Sequence, residues 1–435
     1  MSATKTLHPD EKIKAGKLGG RLFKIGGAAG VALLVIGVIL GSTVSKNVQH
    51  GDWQRFFYAY LVGWSFVCSI AIGSLFFILS HHLVRAKWGI VLRRIAEFIT
   101  GSFPLLFVLG LGFVIPVVAG YKSLYFWTEH GLHDASHPLH HHMHNKLAWF
   151  DPYFFLGRYV LYFAIYIGIS RWFAGKSRAA DDLTPEQAAV NSEQMRIWSG
   201  IAVLVYAITT VFFAFDLFMS LAPTWYSTIY SVNYFAGAML ATYCTLALLT
   251  RAIQRSGRIT RSVTVEHYHD IGKYMFGWTF FWIYTAFSQF MLQWYANMPE
   301  ETIFYNYRMF SQWEWVSWAV LIGHWAIPYL LLVTRWTKRI LPVLMALAAW
   351  QLGFHYLDLY WNMMPNQQWL VEGKLVLGPL AGDPDLHRVN FHAVDVVMLF
   401  AMVALFLAGV GRAMKGNLLP IKDPKLGQSL AFENY

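Results

Sequence analysis

Apolar residues along this chain run on in long stretches instead of alternating with polar ones. Ten stretches of roughly 20 residues, each bounded by charged or turn residues, read as membrane helices: 22–44, 55–80, 94–120, 153–174, 197–220, 228–250, 272–296, 314–335, 338–362 and 391–413. At about 1.5 Å rise per residue, each covers a hydrocarbon core of about 30 Å. The first follows Lys17, Arg21 and Lys24, as a signal peptide would. It is too long for the apolar core of one, and Gly37-x-x-x-Gly41 suits close helix contact, so it reads as a helix of the mature chain. The expectation is an all-α polytopic membrane protein.

Composition agrees. Of 435 residues, 56% are hydrophobic and 13% charged, against about 25% charged in a soluble domain. The mean hydropathy is +0.41. A soluble enzyme of this length has no core large enough for so much apolar surface, and a disordered chain is more polar. Cys68 and Cys244 both lie inside apolar runs and read as small core residues. There is no Cys-x-x-Cys, so no iron–sulfur, thiolate-zinc or c-type haem site is expected on this chain. The net charge of +10 is topogenic: 26 of the 34 Lys and Arg fall at the two termini and the 2/3, 4/5, 6/7 and 8/9 connections, against 8 on the other side. Both termini are expected in the cytoplasm, and nothing points to nucleic acid.

The long connections lie outside: 121–152, 297–313 and 363–390. Long loops gathered on one face usually meet partners or ligand. The inner 4/5 loop, Lys176 to Glu193, is polar and carries the N-cap-like Thr184-Pro185-Glu186. Helix 5 ends Asp216-Leu217-Phe218-Met219-Ser220-Leu221-Ala222-Pro223 and helix 9 ends Asp358-Leu359-Tyr360-Trp361-Asn362-Met363-Met364-Pro365. The shared Asp, Leu, aromatic and Pro suggest a parallel duplication. The expected organisation is 1–54 with helix 1, a four-helix bundle over 55–220, a second over 228–362, and helix 10 with a cytoplasmic tail over 391–435.

Ionisable residues inside spans are costly unless paired or wet, so each invites a functional hypothesis. Asp216 and Arg158 lie near the outer ends of antiparallel neighbours, as a structural ion pair or a proton-accepting carboxylate beside a path. His355-x-x-Asp358 on helix 9 and His392-x-x-Asp395 on helix 10 each share a helix face and fall in the outer leaflet. If those faces meet, they form a cluster suited to proton exit; otherwise they are satisfied polar pairs. His324 is central on helix 8 and reads as a satisfied core histidine or a deeper relay member. No second central histidine is apparent, which argues against b-type haem. Glu97 and Lys273 read as snorkelling, and Gln289 and Gln293 as wet-path lining or interhelical glue. The outer loop holding His130, His133, His137, His140, His141, His142 and His144 is open to three readings: a metal site, a proton-collecting surface, or a solvated or partner-facing loop. Trp and Tyr cluster at span ends as an interfacial belt.

Three stretches carry a family resemblance that covers nearly the whole chain. The first is His269-Asp270-Ile271-Gly272-Lys273-Tyr274-Met275-Phe276 with Phe287-Ser288-Gln289-Phe290-Met291 and Trp294 to Thr302. The second is Asp358-Leu359-Tyr360-Trp361 with Pro365; the third is the tail Pro420-Ile421-Lys422-Asp423-Pro424 with Phe432-Glu433-Asn434. They resemble the large membrane subunits of alternative complex III, in the NrfD/PsrC-like group. Length, short termini and tail are most similar to the F-type subunit.

That resemblance implies a subunit of a bacterial quinol:electron-acceptor oxidoreductase in the inner membrane, with two four-helix bundles and flanking helices. Implied partners are a homologous ten-helix quinol-binding subunit, multihaem and monohaem c-type cytochromes, an iron–sulfur subunit, small membrane subunits and the lipid bilayer. Haem c, iron–sulfur clusters and quinol belong to those partners, and no cofactor or metal is expected on this chain. The F-type subunit is associated with proton half-channels. By position, Arg158 in Pro152–Arg158 and Asp216 before Met219-Ser220-Leu221 match the family pattern, while the His-rich loop departs from it where the homologue closes its quinol pocket. The expected site is a proton network of Asp216, Arg158, His355, Asp358, His392 and Asp395, with His324 deeper. The rival readings are a secondary transporter with parallel repeats and a purely structural anchor. Pro104, Pro116 and Pro328 do not form the equivalent pair of broken helices that transporters use.

Overall fold

The structure is a computed structural model and describes residues 4–45, 53–128, 132, 134, 140–222, 225–366, 368–371, 374–377, 389 and 391–434. The long elements are α1 (Leu18–Ser45), α2 (Gln54–Leu83), α3 (Ile90–Thr100), α4 (Phe103–Val118), α5 (Pro152–Ala179), α6 (Pro185–Leu217) and α7 (Tyr230–Arg255). They continue with α8 (Val265–Ala296), α9 (Pro299–Met309), α10 (Glu314–Val320), α11 (Ile327–Val333), α12 (Leu341–Met363) and α13 (Ala393–Ala413). A two-stranded antiparallel hairpin, Gln368–Val371 with Lys374–Leu377, is the only sheet among the described residues.

Eight segments among the described residues are long and apolar enough to cross a membrane: α1, α2, α3 with α4, α5, α6, α7, α10 through α11, and α13. The chain is thus a multi-pass helical membrane protein. α8 and α12 have the length but carry more polar residues, and their polar side chains point inward: Asp270, Trp282, Gln289 and Gln293 on α8, Gln351, His355 and Asp358 on α12 are all buried.

α2 is the hub. It is buried almost throughout and touches α3, α4, α6, α7, α12 and α13. Small residues make that possible. A Cβ on Gly73 would stand 2.4 Å from the Thr242 hydroxyl, so α2 and α7 approach closely only because Gly73 has none. Cys68 and Cys244 are free and buried in this core, as expected. α1 lies along α13 on a glycine stripe: a Cβ on Gly26 would come within 2.7 Å of the Ala404 carbonyl, and one on Gly37 within 2.4 Å of the Met398 sulfur. α1 otherwise exposes Val31, Val35, Ile36 and Ile39, which suits lipid.

Helix ends follow the local chemistry. The predicted cap at Thr184 is a full capping box with Gln187, and it starts α6 twelve residues ahead of the predicted span. Asp151 caps α5 by accepting from the Phe154 N–H at 2.8 Å.

Snorkelling is the wrong reading for Glu97. It is 3% exposed and sits between Arg94, at 3.2 Å, and Arg93, at 4.0 Å. Arg93 in turn pairs with Asp423 of the tail, and Arg94 with Asp181 at 3.2 Å. This buried five-charge network joins α3, the α5–α6 turn and the tail at the end of the bundle that holds both termini. Lys273 is half-exposed, as snorkelling requires, and pairs with Asp270.

Candidate functional site

Three separate polar clusters lie inside the bundle, where the sequence suggested one network.

The first surrounds Asp216 at the end opposite the termini. Asp216 is 1% exposed. Its Oδ2 accepts from Arg158 Nε at 2.6 Å and from the Tyr162 hydroxyl at 2.5 Å. Its Oδ1 accepts from the Trp149 indole at 2.7 Å. The expected Arg158–Asp216 pair is present because α5 and α6 are antiparallel neighbours. Arg158 also donates to the Trp149 carbonyl at 2.8 Å and stacks its guanidinium on Trp149 and Phe154, 4.2 and 4.5 Å from the ring centres. Three donors on one carboxylate fix its position. A cavity of about 260 Å³ opens beside it, bounded by Lys146, Trp149, Asp216, Ser220, Trp225 and Tyr226. That volume holds several waters.

The second cluster surrounds Asp395. Asp395 ion-pairs with Arg55 and accepts from the Tyr360 hydroxyl at 3.2 Å. It also accepts from the His392 N–H at 3.0 Å, and His392 Nδ1 accepts from the Val394 N–H at 3.2 Å. His392 and Asp395 are therefore the reciprocal N-cap of α13. The expected convergence of His392 and Asp395 with His355 and Asp358 does not occur. Asp395 meets the Tyr356–Tyr360 face of α12, while His355 and Asp358 lie on another face, turned toward α7, α8 and the helix carrying His324.

The third cluster is the deepest. The segment 321–326 of the helix from α10 to α11 is a π-helical turn, and His324 is inside it. Pro328 explains the widening: it has no N–H for the His324 carbonyl four residues back. The turn packs tightly against α12, since a Cβ on Gly323 would overlap the Phe354 ring, and Trp350 donates to the Gly323 carbonyl at 2.7 Å. This brings His324 to His355, with ring centroids 6.1 Å apart. The expectation from sequence set His355 apart from His324, in the outer leaflet; the structure brings the two rings together, so a buried histidine pair does exist. One nitrogen of each ring and a carboxylate oxygen of Asp358 lie within 4.8 Å of one another. All three side chains are buried. Asp358 accepts from Trp282 at 3.1 Å and from Asn362 at 3.1 Å. No ion pair to Asp358 occurs among the described residues.

Sequence reasoning missed several partners. Arg55, the first residue of the predicted second span, was assigned no partner from the sequence, yet it pairs with Asp395. Tyr162 is one turn beyond Arg158 on α5, a spacing that was available to read. Arg308 is fully buried and donates to the carbonyls of Phe304, Trp361 and Asn362 at 2.8, 3.1 and 3.0 Å. It thereby satisfies the open carbonyls at the end of α12. Gln289 and Gln293 are interelement glue: Gln289 bonds Ser227 and Tyr305, and Gln293 bonds the Trp225 indole. In the His-rich loop, His140 bonds the Leu132 carbonyl at 2.8 Å and its ring lies 5.5 Å from that of His144. His130, His133 and His137 lie outside the described residues, as does Pro223 of the apparent repeat.

No family model matches the chain, and a search of curated proteins finds no match.

Proposed function

We propose that this chain is a ten-span membrane subunit of a quinol:electron-acceptor oxidoreductase, that it carries no redox centre of its own, and that it supplies a proton half-channel at Asp216. One spatial observation supports the reading. The three stretches that carry the family resemblance are distant in sequence but meet on α8. Lys273 of the first stretch donates to Asn434 of the third at 2.7 Å, and Trp282, which lies between the two parts of the first stretch on the same helix, donates to Asp358 at the head of the second. A shared surface of that kind is what one inherited design would keep together.

α8 and α12 complete the ten spans. Their inward polar faces explain why they are less apolar than the other eight. In this reading the termini face the cytoplasm of a bacterial inner membrane, and the long loops of the opposite end dock the haem and iron–sulfur subunits. Asp216, Arg158 and Tyr162 then border the outer half of the path, with the adjoining cavity as its water-filled mouth.

The test is Asp216→Asn in the assembled complex. The complex should still form, because Asn can accept from Trp149 and donate to the Tyr162 hydroxyl, though Arg158 loses its ion pair, while the proton-to-electron ratio drops. An unchanged ratio in an assembled complex would remove the half-channel from the proposal.

A further inference from the structure

We propose that His324, His355 and Asp358 form a binding site for a divalent first-row transition ion with zinc-like ligand preference. The three donors come from two antiparallel elements, lie within 4.8 Å of one another, and are sealed from solvent. Ligand atoms in a tetrahedral zinc site stand about 3.3 Å apart, given bonds of about 2.0–2.1 Å. Closure on an ion therefore asks for a movement of about 1 Å at each ligand.

The hydrogen-bond pattern assigns the donors. Ser69 has one hydroxyl proton and gives it to the Phe66 carbonyl at 2.7 Å. Its contact with His355 Nε2, at 2.9 Å, must therefore accept an N–H from the ring. That fixes the proton on Nε2 and leaves Nδ1 as a bare lone pair, and Nδ1 has no hydrogen-bond partner. Space beside it exists only because residue 237 is glycine: a Cβ there would lie 3.0 Å from Nδ1. Both ring nitrogens of His324 likewise lack partners. The Trp282 ring stands edge-on to His324, at 4.4 Å between centroids, and its indole N–H holds Asp358. Ser69 behind His355, and Trp282 with Asn362 behind Asp358, are the outer hydrogen bonds that orient ligands in a metal site.

Charge leads to the same conclusion. Asp216 and Asp395 each have an arginine, whereas Asp358 forms no ion pair among the described residues. An ionised carboxylate in an apolar bundle needs a compensating charge. A divalent ion supplies it, and two neutral imidazoles with one carboxylate are a donor set that selects zinc-like ions over magnesium or calcium. The inference does not depend on the oxidoreductase reading, and it removes these three residues from the proton network expected at Asp216.

The site is enclosed, so the ion enters during folding. The full chain is expressed with Zn²⁺ or Co²⁺ in the medium and purified through a tag without histidine. The seven histidines of the 130–144 loop are changed to serine in every sample to silence adventitious binding. The expected result is about one ion per chain that survives a chelator wash, with the visible spectrum of low-coordinate Co²⁺. His324→Gln and Asp358→Asn should lose it, and Ser69→Ala should weaken retention about 10- to 100-fold while leaving the ligands in place. A folded chain with far less than one ion, or equal metal in the parent and the His324→Gln variant, overturns the site. Metal content is independent of the proton-to-electron ratio, so the two proposals fail separately.

Discussion

His324 and His355 face each other across 6.1 Å between ring centroids, at the level where α12 crosses a π-helical turn, and no hydrogen bond joins them. Two buried imidazoles with unsatisfied nitrogens are an expensive arrangement. Trp282 shares in it by touching His324 and holding Asp358. Trp282→Phe keeps the ring and deletes the donor, leaving Asp358 with Asn362 as its remaining side-chain donor. The expected cost is about 1–3 kcal/mol of stability. A matched drop in apparent melting temperature in detergent checks it; an unchanged melting temperature would mean the indole is not needed there.

The Arg158–Asp216 pair should behave as a coupled buried unit. Arg158→Leu leaves a buried carboxylate without its cation and is expected to cost about 3–5 kcal/mol. Adding Asp216→Asn should recover most of that loss, because the orphaned charge is gone. Denaturation of the two single variants and the double variant gives the coupling. Simple additivity would show that the two side chains do not depend on each other.

α1 should be held by the absence of side chains on its inner stripe. Gly26→Leu drives a side chain into the Ala404 carbonyl, while a Cβ on Gly20 meets nothing within 4 Å. The first substitution should lower the apparent melting temperature and the second leave it near the parent value. Equal effects would mean that α1 is not packed through this face.

Glu266 lies ahead of the predicted span that begins at 272 and closes the tail against α8. Its hydrogen bonds to Arg339 hold the carboxyl down at about 2, from an ordinary 4.5. A depressed carboxylate stabilises the fold above its ordinary value and loses that contribution as pH falls from about 4.5 toward about 2. Comparing melting temperatures at pH 6 and pH 3, the parent should lose more than Glu266→Gln over that interval. Parallel losses would show that this ion pair carries no pH-dependent stability.

Much of the fold was legible because hydrocarbon thickness imposes length and apolarity on every span. The long runs, the Thr184 cap, the Gly37 and Gly41 contacts and the Arg158–Asp216 pair all follow from spacing along one helix or between sequential helices. The failures have the opposite character. Depth along a helix does not say which face meets which neighbour, so His392 and Asp395 were grouped with His355 and Asp358, although the caps and Tyr360 turn them to different faces. The His324–His355 meeting depends on a π-helical turn whose register no simple 3.6-residue count reproduces. Glu97 looked like a snorkelling end charge because Asp181 and Asp423, which pair with its neighbours Arg94 and Arg93 and complete the buried network, are far away in sequence.

The most direct measurement is affinity purification of the full chain from its native membrane through a C-terminal tag, in mild detergent, with mass spectrometry of what co-purifies. The proposed function predicts c-type cytochrome and iron–sulfur subunits together with a second, homologous ten-span chain. Recovery of the chain alone, or only with copies of itself, would contradict the oxidoreductase reading and leave transport as the leading function.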